Sequence, residues 1–496
     1  MTTAHPNPAP LTSRRNSAFS SRLEHATPDQ QDEIERLART FEVSDDKLKT
    51  IVKGFAEEMS AGLRAHDQSC DLKMIPSWVT GYPSGNEKGV YLALEISGMD
   101  IYVCQVKLKG ERGKLAINQY QYKIPDNLTA GEDMSILVDY VADCVSDFLV
   151  RVGTQDLFVY PMAVSVGFAV KQTGLNKGTI VALEHGFDYQ NGVGCDVVEL
   201  FHSRFKAKGL AVKVVAMAND TVCTLLAHAY QHPSTRIGIV HSAGTNCAYY
   251  EKFSNIKSLE NSFKNKNSDD MIINTEWCNF GSHKRWLPNT WFDRKLDRES
   301  NNPSIHIFEK MTTGMYLGEI VRNILVYLVD NDKLFAGSSS DGLNTPYSFD
   351  TSYMYVIEAD DDSEAYKDTC VILEEMLKIG PTTVADREIV QKVCEIVGRR
   401  SAMLVGAAIA SVVNYMVEHG IGLDDTSDGF AISISGDLYE DYPSFHPRVC
   451  ETLKALISDD IASKLSVGIV KHSRIVGAAI VAMMAEKMDS DVDMQE

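Results

Sequence analysis

The apolar residues that follow Gly89 keep a strict two-residue period, and this limits the chain to folds that contain paired strands. Every second position from Val90 to Ile96 is apolar, and a second apolar run, Ile101 to Leu108, follows the tetrapeptide Ser97-Gly98-Met99-Asp100. Alternation places one set of side chains on a single face of a strand, and two such runs around a glycine-containing turn are typical of a β-hairpin. We therefore predict a hairpin with a tight turn in this part of the chain.

Strands and helices alternate along much of the remaining sequence. Further strands are predicted at Lys114–Tyr122, Phe158–Phe168, Ala211–Ala216, Arg236–Val240 and Leu465–Val470. Helices are predicted after an N-cap at Thr27, at about 45–63, and at Ser135–Arg151, Thr221–Gln231, Ile305–Val329, Glu364–Ile379, Asp386–Glu418, Phe445–Ile457 and Val476–Met488, with a break in the 386–418 helix left open. This mixture indicates an α/β fold.

Length and charge narrow the function classes. At roughly 100–200 residues per domain, the 496 residues correspond to two to four compact units, and 44% hydrophobic residues is typical of folded chains. The 48 Lys and Arg residues stand against 68 Asp and Glu residues, a formal net charge of -20. A field of that sign repels phosphate backbones, so we expect no direct nucleic-acid partner.

The cysteines and the longest apolar stretch indicate a cytoplasmic protein. The ten cysteines contain no CxxC pair, which argues against a zinc motif or a disulfide framework and for a reducing compartment, and we expect no metal site. The stretch from Ser401 to Val417 is shorter than the ~20 residues that a membrane span needs. We predict that it is a buried helix and that the chain has no membrane span.

The first 25 residues are predicted to be a disordered tail, because they are rich in Pro, Ser and Asn and contain no acidic residue before Glu24. Arg14-Arg15-Asn16-Ser17 has the pattern favoured by basophilic kinases, which makes Ser17 a candidate phosphorylation site. An Arg- and Ser-rich start is also typical of transit peptides. An inert tail, a phosphorylation segment and a targeting segment therefore stay open, and with them nuclear or mitochondrial association.

A series of motifs spread over most of the chain resembles the eukaryotic hexokinases, and especially the fungal ones. The motifs are Leu175-Asn176-x-Gly178-Thr179, Val214-Val215-Ala216-x-x-Asn219-Asp220-Thr221-Val222, Ile273-Asn274-Thr275-Glu276-Trp277, Asn302-Pro303, Phe308-Glu309-Lys310-Met311-x-x-Gly314-Met315-Tyr316-Leu317-Gly318-Glu319, and Tyr439-Glu440-x-Tyr442-Pro443. The resemblance implies an actin-like ATPase fold, with two domains around a hinged cleft. The large domain would comprise 26–84, 219–464 and 481–496, and the small domain 85–218 and 465–480.

The resemblance also implies the sugar-facing residues of that cleft. Asp220 stands at the position of the base that accepts the hydroxyl proton during phosphoryl transfer, although an Asn-Asp pair after a strand is by itself more often a helix cap. Asn219, Glu276 and Glu309 match residues that hydrogen-bond sugar hydroxyls.

Part of the sugar site departs from the family pattern. The serine that contacts sugar in the family is Gly167 here, and a Thr-Lys pair is replaced by Glu184 and His185. His185 retains the capacity to donate a hydrogen bond, and we count it as a sugar-binding candidate, whereas an ionised Glu184 cannot donate.

The nucleotide-facing segments depart further. The first phosphate hairpin, Asp-Leu-Gly-Gly-Thr-Asn-x-Arg in the family, is Glu95-Ile96-Ser97-Gly98-Met99-Asp100-Ile101-Tyr102. Ser97 adds bulk and Met99 removes a hydroxyl. Asp100 brings an acid beside phosphate, and Tyr102 removes a cation. The second phosphate loop and the two later segments are His241-Ser242-Ala243-Gly244-Thr245-Asn246-Cys247, Ser435-Gly436-Asp437 and His472-Ser473-Arg474-Ile475.

The candidate nucleotide-binding residues of this degenerate half are Glu95, Gly98, Gly244, Asn246 and Gly436. Compensation also stays open: Glu95 would hold Mg²⁺ through a water, and His241 or Arg474 would supply replacement positive charge.

Two principal functions are compatible with these residues. The first is a hexokinase-like protein that has lost phosphotransfer, binds a hexose weakly and acts in carbon-source control through a protein partner. The second is an active hexokinase or N-acetylglucosamine kinase that uses Mg-ATP to phosphorylate a sugar 6-hydroxyl. A third and weaker hypothesis is an interaction protein that binds neither ligand.

Overall fold

The computed structural model describes residues 9–10, 23–64, 70–111, 113–154, 158–166, 169–183, 186–259, 268–283, 285–421 and 429–493. The strands are β1 (Ala9–Pro10), β2 (Ile75–Thr80), β3 (Lys88–Ser97), β4 (Asp100–Gly110), β5 (Lys114–Lys123), β6 (Ala130–Gly131), β7 (Tyr160–Val166), β8 (Ala169–Gly174), β9 (Lys177–Ala182), β10 (Asp188–Tyr189), β11 (Val212–Met217), β12 (Thr235–His241), β13 (Thr245–Lys252), β14 (Asp270–Asn274), β15 (Phe430–Ser435) and β16 (Leu465–Ile469).

The helices lie between and around these strands. They are α1 (Pro28–Phe41), α2 (Asp45–Arg64), α3 (Ser135–Val152), α4 (Val197–Ala207), α5 (Asp220–Gln231), α6 (Trp291–Glu299), α7 (Ile307–Thr312), α8 (Leu317–Asp330), α9 (Asp341–Asn344), α10 (Thr351–Ala359), α11 (Lys367–Val371), α12 (Val384–Glu418), α13 (Asp437–Asp441), α14 (Phe445–Leu456), α15 (Asp459–Lys464) and α16 (Ser473–Asp493). The predicted α/β class is confirmed.

The predicted hairpin is the centre of a five-stranded sheet with the order β11-β7-β3-β4-β5. Its two strands are antiparallel and turn between Ser97 and Asp100, as expected, while β7 runs parallel to β3. The alternation in β3 divides its side chains: Leu92, Leu94 and Ile96 join the core beneath α3 and α4, whereas Tyr91 and Ala93 face the opposite way. On this opposite side α16 packs across β3, β7 and β11.

A second, mixed sheet has seven strands in the order β1-β16-β15-β12-β13-β14-β2. The strands of this sheet and the helices around it form the larger hydrophobic core, and the long helix α12 runs through that core. Among the described residues, α12 is the one helix long and apolar enough to cross a membrane, but 89% of its most apolar window is buried inside the protein. This burial agrees with the prediction that residues 401–417 form a buried helix. The break that was left open in the 386–418 helix is absent, because α12 is continuous.

Three predictions about elements need correction. The helix expected at 305–329 is two helices, because the chain leaves α7 at Thr313 in an extended conformation and Gly314 N–H donates to the carbonyl of Ser242 at 2.9 Å. The helix expected at 364–379 begins only at Lys367, since Tyr366 has a left-handed φ of 54°, and its second half is a π-turn.

The third correction concerns residues 465–480, which were expected in the small domain. The strand β16 is hydrogen-bonded to β15 in the seven-stranded sheet, in parallel register. The helix α16 that follows packs on the five-stranded sheet and on α5. The segment therefore passes from one sheet to the other, because β16 completes the larger sheet before the chain turns back. The other domain boundaries stay predictions.

Candidate active site

Asp220 and Asn219 lie where β11 ends and α5 begins. Asn219 is the N-cap of α5, and its side-chain oxygen accepts from Thr221 N–H at 3.0 Å, while Asp220 Oδ1 accepts from the same N–H at 2.7 Å. Burial raises the pKa of Asp220, and the Arg474 guanidinium opposes this effect. The predicted capping role therefore belongs to Asn219, and the neighbouring carboxylate is left at the junction of the two sheets.

Glu276 is held by two amides at the end of β14. Its Oε1 accepts from Asn274 Nδ2 at 2.7 Å and from Asn246 Nδ2 at 3.0 Å. Its backbone adopts the left-handed region at φ 53°, which costs free energy for a residue with a Cβ and is concentrated at functional sites. Burial raises the pKa of Glu276, the bond from Asn274 lowers it, and the charge of Asp220 raises it further.

Glu309 projects from the first turn of α7 and contacts the loop between β12 and β13. Its Oε2 accepts from Thr245 N–H at 3.2 Å, and its Oε1 lies 3.3 Å from His306 Nδ1. A Cβ on Gly244 would stand 2.9 Å from Oε2, so the Glu309 carboxylate lies directly against this glycine. The hydrogen bond to Glu309 raises the pKa of His306. The expected sugar-facing carboxylates therefore both lie against the β12–β13 loop.

Gly244 and Asn246 contact the two carboxylates from the β12–β13 loop and the start of β13. Both were predicted to bind nucleotide, but Gly244 packs against Glu309 and Asn246 donates to Glu276. The strand β13, which carries Asn246, runs next to β14, and the nucleotide-binding assignment of the two residues stays a prediction. In this structure both residues support the sugar-facing carboxylates.

Glu95 and Arg474 form an ion pair on the phosphate-facing side. Glu95 is buried on the face of β3 that α16 covers, and Arg474, in the first turn of α16, places Nη1 2.9 Å from its Oε1. The same nitrogen lies 3.5 Å from Ser97 Oγ. Burial raises the pKa of Glu95, Arg474 lowers it and Asp220 raises it. Asp220 thus acts electrostatically on carboxylates of both sides, Glu95 and Glu276.

The hairpin tip keeps part of its predicted character. Gly98 has φ 56°, and a Cβ there would meet no atom within 4 Å, so a group can approach its backbone. The charge of Asp100 is not free, because its carboxylate lies 2.7 Å from Lys123 Nζ and accepts from Gln121 at 2.7 Å. The bond from Lys123 lowers the pKa of Asp100.

His241 does not supply the replacement charge that sequence left open. It is fully buried, stacks on Phe445 at 5.3 Å between ring centroids, and shares a hydrogen bond of 3.0 Å with Thr245 Oγ1. Burial lowers the pKa of His241 to about 3, so the ring is neutral near pH 7. A Cβ on Gly436 would stand 2.4 Å from the His241 carbonyl oxygen, which shows that Gly436 is packed against protein.

The nucleotide that the resemblance implies fits these residues poorly. Glu95, the expected holder of Mg²⁺, is already neutralised by Arg474, and Gly436 contacts backbone rather than open space. Gly98 alone among the candidates retains the open approach that phosphate requires. The sugar-facing half is therefore the better-formed half.

Some predicted site residues lie outside the described ranges, and the sequence analysis missed several residues that contribute to the site. Gly167, Glu184, His185 and Ser17 are outside the described ranges. The missed residues are Asn274, His306, Cys278 and Lys123. Asn274 stood within the quoted motif two residues before Glu276, and His306 stands three residues before Glu309, the spacing that brings side chains together on one helical turn.

The chain is similar over most of its length to proteins of one family. Two family models, each described as Hexokinase, match residues 33–230 and 236–484. Hexokinase-1 of Schizosaccharomyces pombe is 32% identical over 92% of this chain and 91% of its own length. Glucokinase of Aspergillus niger is 32% identical over 92% of this chain and 98% of its own length. The solved hexokinase of Schistosoma mansoni, complexed with glucose, has a TM-score of 0.80 and 30% identity, and covers 94% of this chain and 100% of its own.

Proposed function

The chain belongs to the hexokinase family and has its two-domain, actin-like ATPase fold, and from this premise we propose that it is a hexose-binding protein whose phosphotransfer from Mg-ATP is lost or strongly reduced. One observation carries the proposal. The carboxylates on the sugar-facing side are held by amides and a backbone N–H, whereas the carboxylate on the phosphate-facing side is paired with Arg474.

Hexose binding is supported by the hydrogen-bonding capacity that remains on the sugar-facing side. Amide donors use one oxygen of Glu276, and an ionised carboxylate has about four lone-pair sites, so acceptor sites are left for hydroxyl groups. The Schistosoma mansoni hexokinase was solved with glucose, and this chain aligns with all of that structure. Glucose-like hexoses are therefore the substrate class to examine first.

Reduced phosphotransfer is supported by the state of the phosphate-facing side. Transfer needs metal ions and positive groups that neutralise the charge developing on the phosphoryl oxygens. Glu95 is paired with Arg474, and His241 is neutral. If two or three transition-state contacts are lost at about 2.7–4 kcal/mol each, the rate falls at least ~10⁴-fold even with non-additivity. Such a protein would act by closing its cleft around hexose. A protein partner in carbon-source control would then bind the closed form differently from the open one.

An active hexokinase or N-acetylglucosamine kinase is the second candidate, and Asp220 favours it. The carboxylate keeps its place at the start of α5, next to the charges of both sides, and burial raises its pKa toward the range useful for a base. Lys123 also neutralises the acid at the hairpin tip. Several relatives carry the names hexokinase and glucokinase.

Two measurements on the purified full chain separate these functions. Calorimetry measures the binding of glucose and N-acetylglucosamine without nucleotide, and ADP release is measured with Mg-ATP and each sugar, with Asp220→Asn as the matched variant. We expect that a hexose binds and that the turnover does not exceed the turnover of the Asp220→Asn variant. Sugar-dependent turnover above about 1 s⁻¹, the low end for ordinary enzymes, that disappears in Asp220→Asn would establish the active kinase. Absence of any sugar binding would contradict the proposal.

A further inference from the structure

Cys278, His306 and Glu309 converge beside the expected hexose site in a way that the sugar function does not require. Each offers one donor atom, a thiol sulfur, a ring nitrogen and a carboxylate oxygen, and the three atoms lie within 4.8 Å of one another. They come from three different local structures: the turn after Glu276, the residue before α7, and the first turn of α7. The sequence offered no CxxC or similar spacing that would have revealed them.

We propose that these three side chains bind a thiophilic divalent metal ion such as Zn²⁺, and that the bound ion excludes hexose from the cleft. A sulfur, an imidazole and a carboxylate form a ligand set typical of a catalytic or regulatory zinc centre, in which three protein ligands leave a position for water. Softer thiolate ligands select Zn²⁺ over Mg²⁺ or Ca²⁺. The proposed ion is therefore distinct from the Mg²⁺ that accompanies ATP.

The present distances are close to those of such a centre. With metal–ligand bonds of about 2.0–2.3 Å at tetrahedral angles, neighbouring donor atoms stand about 3.3–3.6 Å apart. His306 Nδ1 and Glu309 Oε1 already lie 3.3 Å apart. The remaining separations are at most 4.8 Å, which is about 1 Å longer than the donor–donor distances of such a centre.

Access and local charge favour the ion. Cys278 is buried at 6% exposure, but 34% of the His306 side chain and 16% of the Glu309 side chain are exposed, so an ion can arrive from the His306 side. Glu276 Oε2 lies 3.9 Å from Cys278 Sγ and adds a second carboxylate to the surroundings. A divalent cation would balance these acids.

Exclusion of hexose follows from Glu309, and this part of the inference rests on the proposed function. A metal bound at Oε1 of Glu309 would engage one carboxylate oxygen while Thr245 N–H engages Oε2, so, unlike Glu276, Glu309 would have no unengaged oxygen to offer a sugar hydroxyl. Metal and hexose therefore bind to the same protein as alternatives.

The test uses Co²⁺ as a spectroscopic probe on the reduced, metal-free full chain. A thiolate-to-cobalt absorption band should grow to one equivalent, and Zn²⁺ should displace the Co²⁺. Cys278→Ser should remove the band, and His306→Gln should weaken Co²⁺ binding about 100-fold, the upper end of what supporting residues of metal sites contribute. Cys195→Ser is the matched control, since Cys195 is a free, half-buried cysteine outside the cluster. Thermal melts show whether each variant is folded.

Two results would overturn the inference. No thiolate band, or an equal band in folded Cys278→Ser, excludes the site. A band that persists while calorimetry shows glucose bound to the same Co²⁺-loaded protein excludes the competition. If metal-free protein binds no hexose yet gives the band, the proposed function fails and the metal site stands.

Discussion

Glu276 and Glu95 are both carboxylates at the cleft, and they are held in opposite ways. Two neutral amides hold Glu276, and they leave its charge intact and part of its acceptor capacity unused. A guanidinium holds Glu95, and it cancels the charge that would attract a cation. The same residue type therefore keeps free acceptor capacity on one side and forms an ion pair on the other. The comparison shows that the chemistry of a buried acid is determined by its partners.

The largest expected effect comes from removing the better-supported carboxylate. Glu276→Ala deletes the proposed sugar contact and removes the acceptor of Asn274 Nδ2 and one of the two acceptors of Asn246 Nδ2. Hydrogen bonds to charged groups contribute about 1.5–3 kcal/mol each, so we expect hexose affinity to fall about 100-fold or more. Calorimetry with glucose measures this, and Glu299→Ala, on an exposed helix face, is the control. Unchanged affinity would show that hexose does not bind on this side.

A second prediction concerns His241, whose ring lies between the two sides. Its pKa is about 3 in the folded protein against 6.5 for the ordinary group, so the unfolded chain binds the proton first as pH falls. Stability is therefore full above pH 6.5 and decreases toward pH 3, by about 2 kcal/mol between pH 6.5 and 5 at 1.36 kcal/mol per unit.

His241→Phe should remove that part of the pH dependence, as measured by denaturant unfolding at the two pH values. His472→Asn is the control, because His472 is an exposed histidine with φ 55°, a conformation that asparagine tolerates. An identical pH dependence in His241→Phe would mean that the buried ring is protonated in the folded protein as readily as in the unfolded one.

The fold and the proximity of Asp220 and Glu276 could be predicted from the sequence, the fold from local patterns and the acids from the family motifs. Period-2 alternation located the β3–β4 hairpin within one or two residues, and the motifs around Asp220, Glu276 and Glu309 brought these acids together. The segment from β16 to α16 was harder, because hydrophobic periodicity gives a strand but not the sheet in which it pairs.

The remaining errors concern interactions that are distant in sequence. The bond from Gly314 to Ser242 that divides α7 from α8, and the contact between Arg474 and Glu95, join residues far apart in the chain. The neutral state of His241 depends on its burial, and burial cannot be deduced from the residue type alone. Gly244 and Asn246 were assigned by family position, and their contacts with Glu309 and Glu276 became visible only in the structure.

Asn246 gives a third prediction, which separates its two assignments. If it supports Glu276, Asn246→Ala should lower hexose affinity about 10-fold, the value of one hydrogen bond to a charged group, and leave nucleotide binding unchanged. Calorimetry with glucose and with Mg-ADP measures both, and Asn118→Ala, on the exposed strand β5, serves as the control. A loss confined to nucleotide would restore the assignment made from sequence.

The smallest expected effect tests the other half of the comparison. Arg474 is half-exposed, and such ion pairs contribute at most about 1 kcal/mol, so Arg474→Ala should alter binding by only about 5-fold. We expect the affinity for Mg-ADP to rise, because Glu95 regains its charge for a cation, while glucose affinity stays constant. Lys471→Ala, three residues earlier on an exposed position, is the control. A fall in Mg-ADP affinity would instead make Arg474 a phosphate ligand. The phosphate-facing side would then be adapted rather than degenerate, and the active kinase would become the better description.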